Sequence, residues 1–171
     1  SSPQVTGKLA KTFKAAQDAM QAKNYTEALA KLKELQATQG RSAYDDYVIN
    51  AWLLQSYGAT GDNANAAVAA EAMAASSYTN AETRAKIYVS LGGTAYNAKD
   101  YPRAIEMFDK AHAAGDTSDG TAMMIAQSYY LDGKYKDAIG ALNALNERAQ
   151  AAGKKPSENS LKILWDSALK S

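Results

Sequence analysis

The sequence predicts an all-α fold: an α-solenoid of four helix pairs with one further helix at the C-terminus. Three observations lead there. First, KNYTEALAKL (23–32), GDNANAAVAA (61–70), KDYPRAIEMF (99–108) and GKYKDAIGAL (133–142) match one another, each with a turn-like start. Each carries an alanine in register, Ala28, Ala66, Ala104 and Ala138, and the stretches begin 38, 38 and 34 residues apart. A fixed period in this range marks stacked supersecondary units, none of which buries its apolar face alone. Second, another aligned run precedes each stretch: LAKTFKAAQDAMQA (9–22), YVINAWLLQSYGAT (47–60), AKIYVSLGGTAYNA (85–98) and DGTAMMIAQSYYLD (119–132). Third, the spacing inside the runs is helical. Tyr101, Ala104, Ile105, Phe108 and Ala111 fall at i, i+3, i+4, i+7 and i+10, and Ala122, Ile125, Ala126 and Tyr129 behave alike. Two helices joined by only a few residues lie antiparallel.

Taken in order, Ser2-Pro3 offers an N-cap and a first-turn proline for a helix reaching Ala22, with Gly7 weakening its start. Lys23-Asn24 turns the chain into a second helix that runs to about Thr38 and stops at Gly40. The four extra residues of the first two periods fall in 37–46 and 75–84. There, Ser42 with Asp45 and Thr79 with Glu82 read as capping boxes, so the extra turn belongs to the start of helices at about 43–59 and 80–98. Pro102 fits the first turn of its helix. Gly115-Asp116-Thr117-Ser118 and Asp132-Gly133 are the later turns. A helix from about Lys136 to Ala152 is stopped by Gly153 and Pro156. Ser157 then caps a last helix whose stripe is Leu161, Leu164, Trp165, Ala168 and Leu169. That helix suits an atypical cap over the final pair, with a dimerisation helix as the alternative.

The chain resembles the tetratricopeptide repeat family. The family pattern places a bulky residue, Leu-Gly and Tyr on the first helix, then Ala, Phe and Ala on the second. In the third repeat Tyr88, Leu91-Gly92, Ala104, Phe108 and Ala111 match, with Ala95 where Tyr is usual. The fourth repeat keeps Tyr129 and Ala138 but has Ala126, Leu142 and Leu145. The second keeps Leu53, Tyr57 and Ala66 but has Leu54 and Ala70, and the first has Ala15-Ala16, Ala19, Ala28 and Leu32. The closing Pro is missing from all four. The resemblance covers about residues 8–150. It implies a right-handed α-solenoid forming one domain over 1–171, with repeats at about 8–41, 42–79, 80–117 and 118–152 and a capping helix over 157–170. The small residues Gly92, Ala104 and Ala111 would let helix backbones approach while Tyr and Phe fill the adjoining holes.

Composition narrows the function classes. The net charge is +1, which does not point to a nucleic-acid binder. Residues 1–41 hold seven basic and three acidic side chains, the remainder 12 and 15, so a basic first helix faces an otherwise slightly acidic chain. There is no cysteine, hence no disulfide, zinc-thiolate or thiol nucleophile. No apolar run approaches the ~20 residues that span a membrane. Missing cysteine, many small residues and a start at Ser1-Ser2-Pro3 point to an exported bacterial protein, periplasmic or secreted, with a cytoplasmic location as the alternative.

No phosphate-loop, dinucleotide, zincin or nucleophile-elbow motif occurs. His112 stands alone, without the second His or Cys that a metal site needs, and reads as a helix-end side chain. Asp45-Asp46 points two ways from one helix and serves its N-terminus. No enzyme, cofactor or metal is expected. The resemblance instead implies a surface. First helices line the concave side of such arrays, placing Phe13, Gln17, Met20, Val48, Gln55, Lys86, Val89, Tyr96, Asn97, Met123, Gln127 and Tyr130 in a partner groove. Aromatic, Met and amide side chains together resemble a peptide-binding surface; for Phe13, Met20, Met123 and Tyr130 ordinary packing is the alternative. A carboxylate clamp, known in chaperone-binding members, would need Lys, Arg and Asn where this chain has Phe13, Gln17, Trp52, Lys86 and Ser90, and only Lys86 matches. The expected function is a protein- or peptide-binding scaffold, with a self-associating structural module as the alternative.

Overall fold

A computed structural model describes residues 1–171 and contains nine α-helices and no strand. A 3-10 turn at Gly7–Leu9 leads into α1 (Ala10–Gln21). There follow α2 (Tyr25–Ala37), α3 (Ala43–Thr60), α4 (Asn63–Ala74), α5 (Ala81–Asn97), α6 (Tyr101–Ala113), α7 (Asp119–Leu131), α8 (Tyr135–Ala151) and α9 (Glu158–Lys170). The chain divides into two compact units, Ser1–Asn80 with α1 to α4 and Ala81–Ser171 with α5 to α9. Within each unit consecutive helices pack on one another, the stacking expected of an α-solenoid.

Local polar residues set the helix starts. Asn24, Asp62, Asp100, Ser118 and Ser157 each accept a hydrogen bond from the backbone N–H three residues on, a cap worth ~1 kcal/mol each. The turn inside every pair passes through one left-handed residue: Lys23 (φ 57°), Gly61 (75°), Lys99 (61°) and Gly133 (75°). This position recurs with the repeat itself. The extra residues of the first two periods do lengthen first helices: α3 has 18 residues and α5 17, against 13 for α7.

The N-terminus departs from expectation. Ser2-Pro3 starts no helix; helical structure begins at Gly7. Thr6 instead reaches α3, its backbone N–H donating to Asp45 Oδ1 (2.8 Å) and its hydroxyl to Oδ2 (2.5 Å). An extended approach lets both groups meet one carboxylate. Asp45 also completes the capping box, receiving the Ser42 N–H at 2.8 Å while its own N–H donates to Ser42 Oγ. Burial pushes the Asp45 pKa up, but the hydrogen bonds from Thr6 and Ser42 outweigh it and hold the carboxyl below its usual range. The neighbouring Asp46 pairs with Arg41 (2.7 Å), whose guanidinium also donates to the carbonyls of Gln36 and Thr38 at the end of α2. One arginine thus ties the end of α2 to the start of α3.

The first unit's core gathers Leu9, Phe13, Ala16, Leu32, Leu35, Val48, Ile49, Leu53 and Ala69. In the second, Ala95, Ala104 and Phe108 form a buried cluster flanked by Val89, Tyr96, Met124 and Ile125. The six residues matched in the third repeat, Tyr88, Leu91, Gly92, Ala104, Phe108 and Ala111, are buried, and so is Ala95. Of the alanines in register, Ala28, Ala104 and Ala138 are fully buried and Ala66 half-buried. Gly92 shows why the small residue is needed: a Cβ there would stand 2.7 Å from Cδ1 and Cε1 of Phe108.

The last helix packs on α8 and α7, but not through the whole stripe read from the sequence. Ser160, Ile163, Leu164 and Ser167 turn inward, whereas Leu161, Trp165 and Leu169 face solvent. Polar anchors choose this side. Ser160 Oγ donates to Asn146 (2.6 Å), and the Tyr130 hydroxyl donates to Asp166. The two serines are fully buried, short enough for close approach to the helices beneath.

Candidate functional site

In the first unit α1 and α3 face one another across an open depression of ≈ 690 Å³. Its lining includes Phe13, Lys14 and Gln17 from α1 and Tyr44, Tyr47, Val48 and Trp52 from α3. Phe13 and Val48 are buried in its floor, while Gln17 stands exposed at its edge. The Phe13 and Trp52 rings meet edge to face, centroids 5.9 Å apart. Tyr44 and Tyr47 lean on Tyr78, at 5.1 and 5.9 Å between centroids. Each ring is therefore held by another ring, which fixes the wall before any partner arrives. Lys14, the cation in its lining, is bonded to Asp18 one turn away (3.2 Å). Met20 lies half-buried in the last turn of α1, and Gln55 is exposed on α3; neither lines the depression.

In the second unit the expected residues separate. Lys86 and Val89 line a depression of ≈ 530 Å³ with Glu82 and Ala114 to Asp116. Lys86 is already paired with Glu82 (2.8 Å), whose pKa that hydrogen bond and charge lower. Tyr96 and Gln127 come together, hydroxyl to amide oxygen at 3.5 Å, bridging α5 and α7. Burial, and secondly Tyr101, pushes the Tyr96 pKa up, so its hydroxyl stays a neutral donor. Asn97 is exposed beside it. Met123 lines a smaller hollow with Leu145, Pro156 and Ser160. Tyr130 is engaged by α9: its hydroxyl bonds Asp166, and Lys170 Nζ lies 5.2 Å from its ring centroid and 5.8 Å from that of Tyr135. The hydrogen bond to Asp166, then that to Tyr130, raises the Lys170 pKa. The pairs Tyr96–Tyr101 and Tyr130–Tyr135 repeat the same edge-on contact at 5.7 and 5.8 Å.

Sequence reasoning passed over Tyr44 and Tyr47 as surface residues and weighed Trp52 only as a clamp position. The signal was present: Tyr44 and Trp52 stand four residues either side of Val48, on one face of a helix. His112, the single histidine, sits at the end of α6 with Nδ1 3.1 Å from the Asp116 carbonyl.

Paired helices with fixed small residues, together with an aromatic depression between α1 and α3, define a helical-repeat protein, a class that generally serves as protein-interaction scaffolds. The family described as "Anaphase-promoting complex, cyclosome, subunit 3" matches residues 59–145, just over half of the chain. The chain belongs to this family of tetratricopeptide-like repeats. Two similar solved structures are a Podosopora anserina chain described as a kinesin light chain with nearly identical TPR-like repeats, and a point variant of it. Their TM-scores are 0.52 and 0.51; each is 16% identical, with 95% of this chain and 86% of that chain covered. At that identity the likeness shows the fold alone. No curated protein matches the chain.

Proposed function

We propose that the chain binds a protein or peptide partner against the first helices of its pairs, α1 and α3 in one unit and α5 and α7 in the other. The depression lined by Phe13, Tyr44, Tyr47, Val48 and Trp52 carries this reading. Pre-positioned aromatic rings offer contact area at low entropic cost, and Gln17, the tyrosine hydroxyls and the indole N–H supply hydrogen bonds around them. With Lys14 neutralised by Asp18, the chemistry favours an apolar or aromatic anchor residue over a carboxylate. In the second unit Lys86, Val89, Tyr96, Asn97, Met123, Gln127 and Tyr130 extend the proposed contact surface, with Lys86 leaving Glu82 to meet an acidic group. The cysteine-free composition suits a periplasmic or secreted scaffold.

The test selects peptides from a random library on the intact protein and maps them by backbone amide shifts. Shifts should centre on α1 and α3. Trp52→Ala combined with Gln17→Ala should weaken the selected peptides by ~10- to 100-fold, or ~1.4–2.7 kcal/mol, with helical circular dichroism retained. Binders that map to α2, α4, α6 or α8, or affinities the double variant leaves unmoved, would sink this reading.

A further inference from the structure

The depression between α1 and α3 has a further wall that belongs to neither helix. Gln4, Val5 and Gly7 line it beside Phe13, Tyr44 and Trp52. Val5 is half-buried and packs against the core of the first unit, whereas Ser1 to Gln4 are exposed. The segment borders the depression without filling it, since ≈ 690 Å³ stay open with Val5 in place.

The next residue holds Val5 there. Thr6 is the only one of the first six residues to make a hydrogen bond, and it makes three. Its N–H and hydroxyl donate to Asp45 (2.8 and 2.5 Å), and its carbonyl accepts the Leu9 N–H (2.9 Å). Bonds to a carboxylate are the stronger kind. Asp45 itself is fully buried and closes the capping box of α3 with Ser42. The opening turns of α3 carry Tyr44 and Tyr47, the aromatic part of the lining. One buried carboxylate therefore fixes the segment and the tyrosines relative to each other.

We propose that Val5 is a specificity-determining residue of the partner surface, with Thr6 and Asp45 as the positioning pair that holds it; this rests on α1 and α3 forming that surface. An apolar anchor entering the depression meets the Val5 side chain together with the Phe13 and Trp52 rings, so the size of residue 5 sets the size of anchor that fits. Gln4, exposed beside it, offers an amide to the partner's backbone.

Peptides selected from a random library on the intact protein are the probe. Val5→Ala should weaken them by ~10-fold, and reselection on Val5→Ala should return larger anchors. Thr6→Val keeps the shape but removes the hydroxyl donor, and should weaken the same peptides by ~3- to 10-fold. Thr6→Ser keeps the hydroxyl and should restore them. Affinities are compared well below each variant's melting temperature, with circular dichroism to check folding. Peptides that lose affinity in the Trp52→Ala, Gln17→Ala double variant but ignore Val5→Ala and Thr6→Val overturn the proposal and leave the α1 and α3 surface standing. Unchanged anchor size on reselection overturns it too, even where affinity falls, as does a Thr6→Ser chain that binds no better than Thr6→Val. Tighter binding in Val5→Ala or Thr6→Val would mean that the segment obstructs the partner, the opposite of the proposed role. Peptides that map to α2, α4, α6 or α8 overturn both this role and the surface itself.

Discussion

Gly92 and Gly93 are adjacent residues of one helix, and the structure assigns opposite signs to the same substitution at each. In a helix interior, replacing Gly by Ala lowers the backbone entropy lost on folding and gains ~0.5–1 kcal/mol. Gly93 should show that gain, because a Cβ there meets nothing within 4 Å. At Gly92 the new methyl would lie 2.7 Å from two ring carbons of Phe108. That ring cannot swing aside: Phe108 is 2% exposed, and Ala104 and Ala111 on its own helix are fully buried. Overpacking of this kind costs ~1–3 kcal/mol. The net expectation for Gly92→Ala is a loss of ~0.5–2 kcal/mol, which for a chain of this length lowers Tm by ~1–8 °C. Gly93→Ala should raise Tm by a few degrees. Thermal unfolding followed by circular dichroism reads both. A second measurement isolates the cause: Phe108→Leu should cost less in the Gly92→Ala background than alone, since the smaller side chain makes room for the methyl. Equal melting of the two alanine variants, or no coupling between Gly92 and Phe108, would refute the close-approach argument.

Two further expectations follow from the first unit and the intra-pair turns. The Asp45 carboxyl titrates lower in the folded chain than in the unfolded one, so its contribution is complete above the unfolded value of ~3.9, declines below it, and is gone once pH has fallen through the lower folded value. Thr6→Val, which removes the hydroxyl donor to Asp45, should cost ~1–2 kcal/mol at neutral pH. That difference should shrink as pH falls through the folded value of Asp45, as denaturant melts over a pH series from neutral into acid would show. Lys99, at φ 61°, occupies the place that Gly61 and Gly133 hold in other pairs, so Lys99→Gly should stabilise by up to ~1 kcal/mol; a fall in the denaturation midpoint would contradict the left-handed assignment.

Periodicity made the helix pairs legible because the alanines at 28, 104 and 138 are where helices touch, and touching restricts residue type. The same logic exposed Gly92 opposite Phe108. The direction of α9 was not legible. Its Leu161–Trp165–Leu169 row is as strong a helical stripe as any core face, and what turns it outward is hydrogen bonding between residues 14 and 36 positions apart, Ser160 with Asn146 and Tyr130 with Asp166. The N-terminal segment failed for the same reason: Ser2-Pro3 is a local helix signal, overruled by a contact from Thr6 to Asp45. At the proposed binding surface, the family resemblance pointed to first helices but could not separate wall from floor. Phe13 and Val48 are buried, Gln17 is exposed, and the tyrosines beside them were reached only through the geometry of α3.

The bond between Thr6 and Asp45 also has a consequence in time. A ribosome releases Thr6 first, and its partner follows 39 residues later, a delay of ~2–8 s at ~5–20 residues per second. Throughout that interval the start of α1 has no anchor, and α1 and α2 emerge without the helix that closes their core. The nascent first pair therefore waits with Leu9, Phe13, Leu32 and Leu35 uncovered, and it is in this window, before α3 appears, that a chaperone would find the chain.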